Sequence, residues 1–491
     1  MGFSIVYHNQ PCYIVIDILQ QKSCIEWRRF PVRIMTRDRE FYKSLILLAI
    51  PIALQNFISY AVNFADNLMI GQLGEYAISG VYMGNQVQTL LQYVVNGIGQ
   101  ALLILSAQYW GKRDTFSIRR LTSMCLRIST IIGIILSVSA FLFPAEITRI
   151  FTKDEEVIRH TVMYLRIVCW SYFFFCISQL LINAMRSVET VRIGLVISII
   201  TLFVNISLNY ILIFGKLGLP ALGIQGAAIA TLISRFVEAA VMVIYVFFID
   251  KKLGFKLKDF LLPGGKLFKD LLRYGAPVLG GQVVWAINSL AQSAIIGRMS
   301  AEAIASVSVA GNLNTLLFMV VLGLSAALGI ITGKTVGAGK YELMKEYART
   351  AQVLFAAIGV FMGTLLFLLR GPFLTLYDLA PDTISVAKQF LTVLSIAMIG
   401  RCYQATCLSG LVKAGGDVSF VFKNDTIFVF LVVLPSAIIA QRIFHAPSWV
   451  VYACLMSDQI LKCFVAIWKI NSFNWIKNLT RSDSESETNK A

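Results

Sequence analysis

Charged residues are scarce in this chain of 491 residues. Lys, Arg, Asp and Glu make up 14% of it, against about 25% in an average soluble protein, whereas hydrophobic residues make up 57%. A membrane-crossing helix needs roughly 20 apolar residues in succession, and the sequence contains about twelve such runs. This composition excludes a soluble multidomain protein. It predicts an all-α membrane protein with about twelve transmembrane helices.

Patterns typical of metal sites and of catalysis are also missing. The three histidines are far apart, and most of the nine cysteines lie inside apolar runs, where a thiol behaves as a small hydrophobe. The sequence has no HExxH or GxSxG motif and no intramembrane pair of aspartates. We therefore expect no enzyme activity, no cofactor and no metal other than Na⁺. Nothing resembles a selectivity-filter loop, which disfavours a channel.

The excess of basic residues, a net charge of +16, is concentrated in alternate loops. Lys112 and Arg113 follow the second apolar run, Lys334 and Lys340 follow the eighth, and the linker 251–266 is rich in lysine. By the positive-inside rule these loops and both termini are cytoplasmic. We expect a multi-pass protein of the inner (plasma) membrane that binds no nucleic acid. Its expected partners are the lipid bilayer and a small-molecule substrate, and we expect it to function as a monomer.

The first 34 residues lack the features of a signal peptide. Met35 begins MTRDREFYK, a short basic lead into the first apolar run. We predict that translation starts at Met35. At the other end the polar stretch RSDSESETNKA is predicted to be disordered.

An internal repeat predicts the architecture. Shifting the sequence by 226 positions pairs Pro51 with Pro277, Gly97 with Gly323 and Gly111 with Gly337, among other matches. The copies therefore form two parallel, pseudo-symmetric six-helix lobes around a central cavity, the usual plan of an alternating-access carrier. The predicted domains are a cytoplasmic extension 1–40, an N-terminal lobe 41–250, a cytoplasmic linker 251–266, a C-terminal lobe 267–471 and a disordered cytoplasmic tail 472–491.

Polar residues form stripes inside the first two predicted spans. In FADNLMIGQLGEYA, Asp66 lies near the end of the first span, and Asn63 and Ser59 share its helix face. Lipid offers these groups no partners, so they must face protein or a wet cavity. Asp66 could be a hydrated interfacial residue among amides that join helices. We favour the alternative, a partly dry pocket in which a proton or cation neutralises the carboxylate.

Further polar groups lie in the fifth and sixth spans. Asn205 and Asn209 are one turn apart, and Thr231 follows in the next span. Together with one carboxylate their oxygens suit Na⁺ as well as a proton relay. Arg235 and Glu238 are three residues apart on one helix, which is more typical of an ion pair than of a binding site.

The C-terminal lobe differs in its chemistry. Gln292 stands in the position of the repeat that Asp66 occupies, and the acids available in this lobe are Asp425 and Asp458. Lys462, four residues after Asp458, is expected to pair with it. For Asp425 a functional role, in secondary coupling or in substrate binding, and a structural role are equally supported.

The chain from about Phe41 to Ile470 resembles the multidrug and toxic compound extrusion (MATE) family. The resemblance is carried by PIALQNFISYAVNFADNLMIGQLG, SAQYWGKRD, LNYILIFGKLGLPALGIQGAAIATLISR and LVKAGGDVSFVFKNDTIFVFLVVLP. It implies a cation or proton site formed by Asp66, Asn205, Asn209, Ala227 and Thr231. Many members have an acid where Asn209 stands and a glutamate where Gln282 stands. The residues expected to line the cavity are Asn63, Gln88, Gln92, Gln282, Trp285 and Gln292.

The resemblance implies a secondary active antiporter. It would export organic compounds, cationic or amphipathic, in exchange for protons or Na⁺ by alternating access, and xenobiotic export would be its role. The alternative is a flippase for lipid-linked or polar-lipid substrates of the same wider superfamily. A flippase would need an arginine-rich cavity to bind pyrophosphate. Arg401 is the only isolated arginine deep in a predicted span.

Overall fold

The computed structural model describes residues 35–377 and 380–481, and the regular secondary structure in these ranges is helical. The predicted translation start concerns residues 1–34, and most of the polar C-terminal stretch falls within 482–491. Both predictions lie outside the described residues.

The helices fall into two series. The first comprises α1 (Arg39–Gly71), α2 (Glu75–Gly111), α3 (Thr115–Leu142), α4 (Pro144–Arg149), α5 (Glu155–Val168), α6 (Ser171–Ser187), α7 (Arg192–Phe214) and α8 (Ile224–Ile244). The second comprises α9 (Gly265–Ile296), α10 (Ala301–Gly337), α11 (Tyr341–Leu374), α12 (Pro381–Ala405), α13 (Val418–Ile427), α14 (Leu434–Arg442), α15 (Ser448–Leu455) and α16 (Asp458–Asn471). Short π-helical turns extend α8 and α12 and join α13 to α14. A 3₁₀ turn, Leu257–Leu261, lies in the linker.

Ten helical stretches of the described residues are long and apolar enough to cross a membrane, with α13 and α14 (Val418–Arg442) counted as one and α15 and α16 (Ser448–Asn471) as another. The bent pair α5 and α6, which meets at 54°, would make an eleventh. Helix α9 is not among them, although its 32 residues would reach across a bilayer. Its charged residues near the N-terminus and its glutamines, asparagine, serines and glycines lower its hydropathy. It accounts for the difference between eleven spans and the predicted twelve. The predicted all-α membrane architecture is confirmed.

Local sequence explains where several helices begin and end. The side chain of Asp38 accepts a hydrogen bond from the backbone N of Glu40 at 2.9 Å at the start of α1. Asp114 accepts one from Ser117 N at 3.0 Å at the start of α3. These caps satisfy amides that have no partner inside the helix. Gly215, with a φ of 66°, ends α7 in a left-handed conformation that glycine adopts readily.

The repeat appears in the structure as matched helices and a matched contact. Helices α2 and α10 both have 37 residues and cross at their C-terminal ends, where Gly111 and Gly337 lie. A Cβ atom at Gly111 would overlap the carbonyl of Lys334, and one at Gly337 would overlap the carbonyl of Gln108. The two halves therefore touch backbone to backbone at the end of the molecule that carries the basic loops, here called the basic face.

The tail predicted to be disordered from residue 472 is packed in its first part. Trp475 has no exposed surface, and Leu479 N donates to Gln108 Oε1 at 2.7 Å. The prediction is wrong for residues 472–481. Trp475, Ile476 and Leu479 give this stretch apolar side chains that can be buried, although polar residues surround them in the sequence.

Candidate cation site

The structure brings Asp66 of α1 against α7. Asn209 Nδ2 donates to Asp66 Oδ1 at 2.5 Å and lies 3.1 Å from Asn205 Oδ1. Asn209 is 1% exposed and Asn205 is 3% exposed. The one-turn spacing of the two asparagines places both amides on the face of α7 that meets α1. Three of the predicted site residues therefore form one connected group.

The two remaining predicted residues lie on α8, which packs against α7. Ala227 is buried and Thr231 is half-buried. Tyr164, on α5, lies near both Thr231 and Asp66. Its hydroxyl donates to Asn85 Oδ1 of α2 at 3.1 Å. Sequence reasoning missed Tyr164 because α5 carries no motif and only the fold brings its tyrosine to the site.

One fixed ion pair lies beside the site. Arg235 Nη1 is 2.6 Å from Glu238 Oε2, as their spacing predicts. Glu238 also accepts hydrogen bonds from Ser178 Oγ at 3.1 Å and from Gln179 Nε2 at 3.2 Å. The guanidinium of Arg235 lies near Asp66. Within the described residues no salt bridge reaches Asp66 itself, so its direct partner is an uncharged amide.

The chemistry of this group is that of a carboxylate among neutral oxygens. Asn209 Oδ1 is buried and has no hydrogen-bond partner in the described part of the chain. A buried acceptor of this kind has lost its hydration without compensation. The group can therefore take up a proton or a small cation, and either one would neutralise Asp66.

The acids of the C-terminal lobe are arranged differently. Lys462 Nζ of α16 lies 2.9 Å from Asp425 Oδ1 and 3.2 Å from Asp458 Oδ2, and its side chain is 7% exposed. The predicted pairing with Asp458 is present, and Asp425 shares the same ammonium. Arg401 stacks over the ring of Phe318 at 3.5 Å. Asp425 is therefore paired with the ammonium group of a lysine side chain. The direct hydrogen-bond partner of Asp66 is the uncharged amide of Asn209.

The residues predicted to line the cavity are more exposed than Asn205 and Asn209. Asn63 and Gln92 are exposed, and Gln88, Gln282 and Gln292 are half-buried. Trp285 of α9 meets Tyr93 of α2 edge to face, with ring centroids 5.8 Å apart. This contact connects the two halves of the molecule. That these six residues line a cavity stays a prediction.

Comparison with known proteins places the chain in a family. The family model described as MatE matches residues 51–211 and 277–439. The chain belongs to the MatE family. The two matches begin 226 positions apart, since 277 minus 51 is 226, which is the offset of the repeat. Members of this family are transporters and not enzymes.

Several relatives cover most of the chain. A probable multidrug resistance protein NorM of Thermotoga maritima is 26% identical over 90% of this chain and 95% of its own length. A second protein of that name, from Halalkalibacterium halodurans, is 29% identical over 80% of this chain and 86% of its own. A mutant of the Vibrio cholerae MATE transporter VcmN superposes with a TM-score of 0.81 at 16% identity, covering 90% of this chain and 98% of that one. This MatE protein therefore has the fold of MATE transporters and is a multi-pass membrane protein.

Proposed function

We propose that this protein is an antiporter that exports organic, cationic or amphipathic compounds in exchange for protons or Na⁺. The observation that carries the proposal is Asp66, a carboxylate inside a membrane-spanning helix whose direct partner is an amide. An ionised carboxylate inside a membrane raises the free energy of the protein unless a proton or a cation neutralises it. Membership of the MatE family and the names of the relatives, multidrug resistance proteins, support the substrate class.

The position of Asp66 supports transport by alternating access. Helix α1 carries Asp66 on the side that meets α7 and also contacts α10 of the other half, where Tyr60 OH donates to Asn312 Oδ1 at 3.4 Å. A change in the protonation or ion binding of Asp66 that shifts α1 would therefore alter the interface between the lobes. Coupling requires that the ion and the substrate favour different arrangements of the lobes. The direct crossing of α2 and α10 at the basic face supports an arrangement closed on that side.

We further infer that the protein lies in the plasma membrane with both termini in the cytoplasm. The concentration of Lys and Arg in loops at one end of the helices supports this orientation. One chain supplies both lobes, so we infer that a monomer suffices for transport.

The test is efflux of a fluorescent cationic dye from reconstituted vesicles, driven separately by a pH gradient and by a Na⁺ gradient. We expect one gradient to drive efflux in the wild type and Asp66→Asn to abolish it at equal protein level. Glu75→Gln, which removes an exposed carboxylate at the same end of the N-terminal lobe, serves as the matched control and should transport normally. Normal efflux by Asp66→Asn would contradict the role of Asp66, and no wild-type efflux under either gradient would contradict dye export.

A further inference from the structure

Two arginines of α3 hold the end of the linker between the lobes. Arg120 Nη2 donates to the carbonyl oxygen of Pro263 at 2.7 Å, and Arg127 Nη2 donates to that of Leu262 at 2.6 Å. Helix α9 begins directly afterwards, at Gly265. The first turn of the C-terminal lobe is therefore fixed against a helix of the N-terminal lobe.

A crevice lies at this junction. Its volume is about 420 Å³, within the range of roughly 300 to 1,000 Å³ that small-molecule sites span. The residues that line it belong to α3 and to the start of α9, and they are Met124, Arg127, Ile128, Gly264, Gly265 and Phe268. Three of these side chains are apolar and one is a guanidinium. The crevice can therefore hold a molecule with an anionic end and a hydrocarbon end.

Arg127 is a cation without a carboxylate partner, since no salt bridge reaches it within the described residues. The carboxylates of the adjoining segments are already paired, Asp259 with Arg119 at 3.3 Å and Asp270 with Arg481 at 2.7 Å. A guanidinium carries five N–H donors, and the linker carbonyl occupies only one of its two Nη atoms. Arg127 thus has both a positive charge and further donors available to an anion.

The position of Arg127 along α3 corresponds to the headgroup level of a bilayer. No charged residue follows it on this helix, which continues to Leu142. Arg127 therefore marks the start of the hydrocarbon region on the side of the basic loops. Phospholipid phosphates lie at this level, and arginine can bind a phosphate through two N–H groups at once. Phe268 is 43% exposed, which leaves room for an acyl chain beside it.

The first turn of α9 adds to the positive potential of the crevice. The N-cap residue of this helix, Gly264, makes no side-chain hydrogen bond, so the first backbone N–H groups can meet an anion. A Cβ atom at Gly264 would lie 2.5 Å from Met124 Sδ, which shows how closely the start of α9 approaches α3. Lys266 and Lys269, both exposed, add charge of the same sign.

We propose that this crevice binds the phosphate group of an anionic phospholipid from the leaflet at the basic face. The phosphate meets Arg127 and the first turn of α9, and an acyl chain lies along Ile128 and Phe268. A lipid bound there contacts both lobes, because α3 belongs to one and α9 to the other. This binding site is separate from the candidate cation site and does not depend on the proposed transport.

The experiment is thermal unfolding of the purified full chain in detergent with one of three additives at equal concentration. The additives are dioctanoyl phosphatidylglycerol, which is anionic, dioctanoyl phosphatidylcholine, which is zwitterionic, and inorganic phosphate. Phosphatidylglycerol should raise the wild-type midpoint by about 3 °C or more above the value in phosphatidylcholine, as expected for a ligand that binds only the folded state. Inorganic phosphate should give no comparable rise, because it has no acyl chain to bury.

Three variants, each of which lowers the net charge by one, locate the effect. Phe268→Glu places a carboxylate in the crevice and leaves the contact of Arg127 with Leu262 in place, so the response to phosphatidylglycerol should fall to that seen with phosphatidylcholine. Arg127→Gln should have the same effect. Arg192→Gln, the matched control, removes an exposed arginine at the start of α7 and should keep the full response.

Three results would overturn the inference. Equal midpoints of the wild type in the two lipids would mean that the crevice does not select an anionic headgroup, and this measurement does not depend on any variant folding. An equal rise with inorganic phosphate would assign the site to a free ion and not to a lipid. Equal losses in Phe268→Glu and Arg192→Gln would mean that the lipid responds to the overall charge of the surface.

Discussion

The hydroxyl of Tyr164 joins two helices beside the candidate cation site. It is carried by α5 and donates to Asn85 Oδ1 of α2 at 3.1 Å. The ring is buried, with 4% of the residue exposed, so the hydroxyl needs this hydrogen bond to offset its loss of hydration. Individual hydrogen bonds thus fix the positions of the helices around the site. Replacing Tyr164 by phenylalanine removes one of these bonds and leaves the ring packing unchanged.

Tyr164→Phe should lower dye efflux several-fold and cost about 1 kcal/mol of unfolding free energy, because Asn85 Oδ1 loses its hydrogen-bond donor. Tyr172→Phe is the matched control, since the Tyr172 hydroxyl is buried and has no hydrogen-bond partner in the described residues. Removing that hydroxyl should leave transport unchanged and should not lower stability. Efflux rates and thermal midpoints of the two variants check the prediction, which fails if they behave alike.

Helices α2 and α10 determine how closely the two halves approach at the basic face. Gly111 and Gly337 are related by the repeat, and each lies against a backbone carbonyl of the opposite helix. Any side chain at these positions would push the helices apart. The close packing of α2 against α10 therefore requires glycine, which has no Cβ atom, at both positions.

Gly337→Ala should destabilise the protein by about 1 to 3 kcal/mol, the usual cost of overpacking, and should reduce efflux because the lobes cannot close on the basic face. Gly311→Ala, on the same helix, is the comparison, since a Cβ atom there has nothing within 4 Å. It should be neutral or stabilise by about 0.5 to 1 kcal/mol, because alanine favours the helix over glycine. Thermal unfolding of both variants measures the difference, and a harmless Gly337→Ala would contradict the close crossing.

The C-terminal segment 472–481 connects parts of the molecule that are distant in sequence. The backbone N of Leu479 donates a hydrogen bond to Gln108 Oε1 of α2. Arg481 Nε lies 2.7 Å from Asp270 Oδ2 of α9. Lys477 lies 2.9 Å from Asp417, which also meets Lys469 of α16 at 2.7 Å. The segment therefore contacts both lobes at the basic face and helps to hold them together there.

Asp417→Asn should lower the thermal midpoint at pH 7, and the difference from wild type should shrink progressively as the pH falls below about 4. Burial alone would raise the pKa of Asp417, but the hydrogen bonds and charges of Lys469 and Lys477 outweigh it and lower that pKa. A pKa that is lower in the folded state stabilises the protein at neutral pH, and this contribution is lost as the pH falls through the folded value. Thermal unfolding between pH 7 and pH 3 tests this, and a difference that does not change with pH would contradict the role of the two lysines.

The sequence by itself determined the class and the plan of this protein. Long apolar runs can be stable only in a membrane, and a repeat of 226 positions with matched proline and glycine can form only two similarly built halves. It also indicated Asp66, Asn205 and Asn209, because polar side chains inside apolar helices need partners and helical spacing says which ones share a face.

Only the tertiary structure decided which partners those side chains have. Helical spacing places residues on a face but does not rotate one helix against another. Spacing therefore could not predict the contact of Asn209 with Asp66, which only the family resemblance implied, or the approach of Tyr164. The same reason applies to Lys462, which was expected to meet Asp458 one turn away and also meets Asp425 of a different helix. The docking of residues 472–481 depends on a surface formed by both lobes, and that surface exists only once the helices have packed.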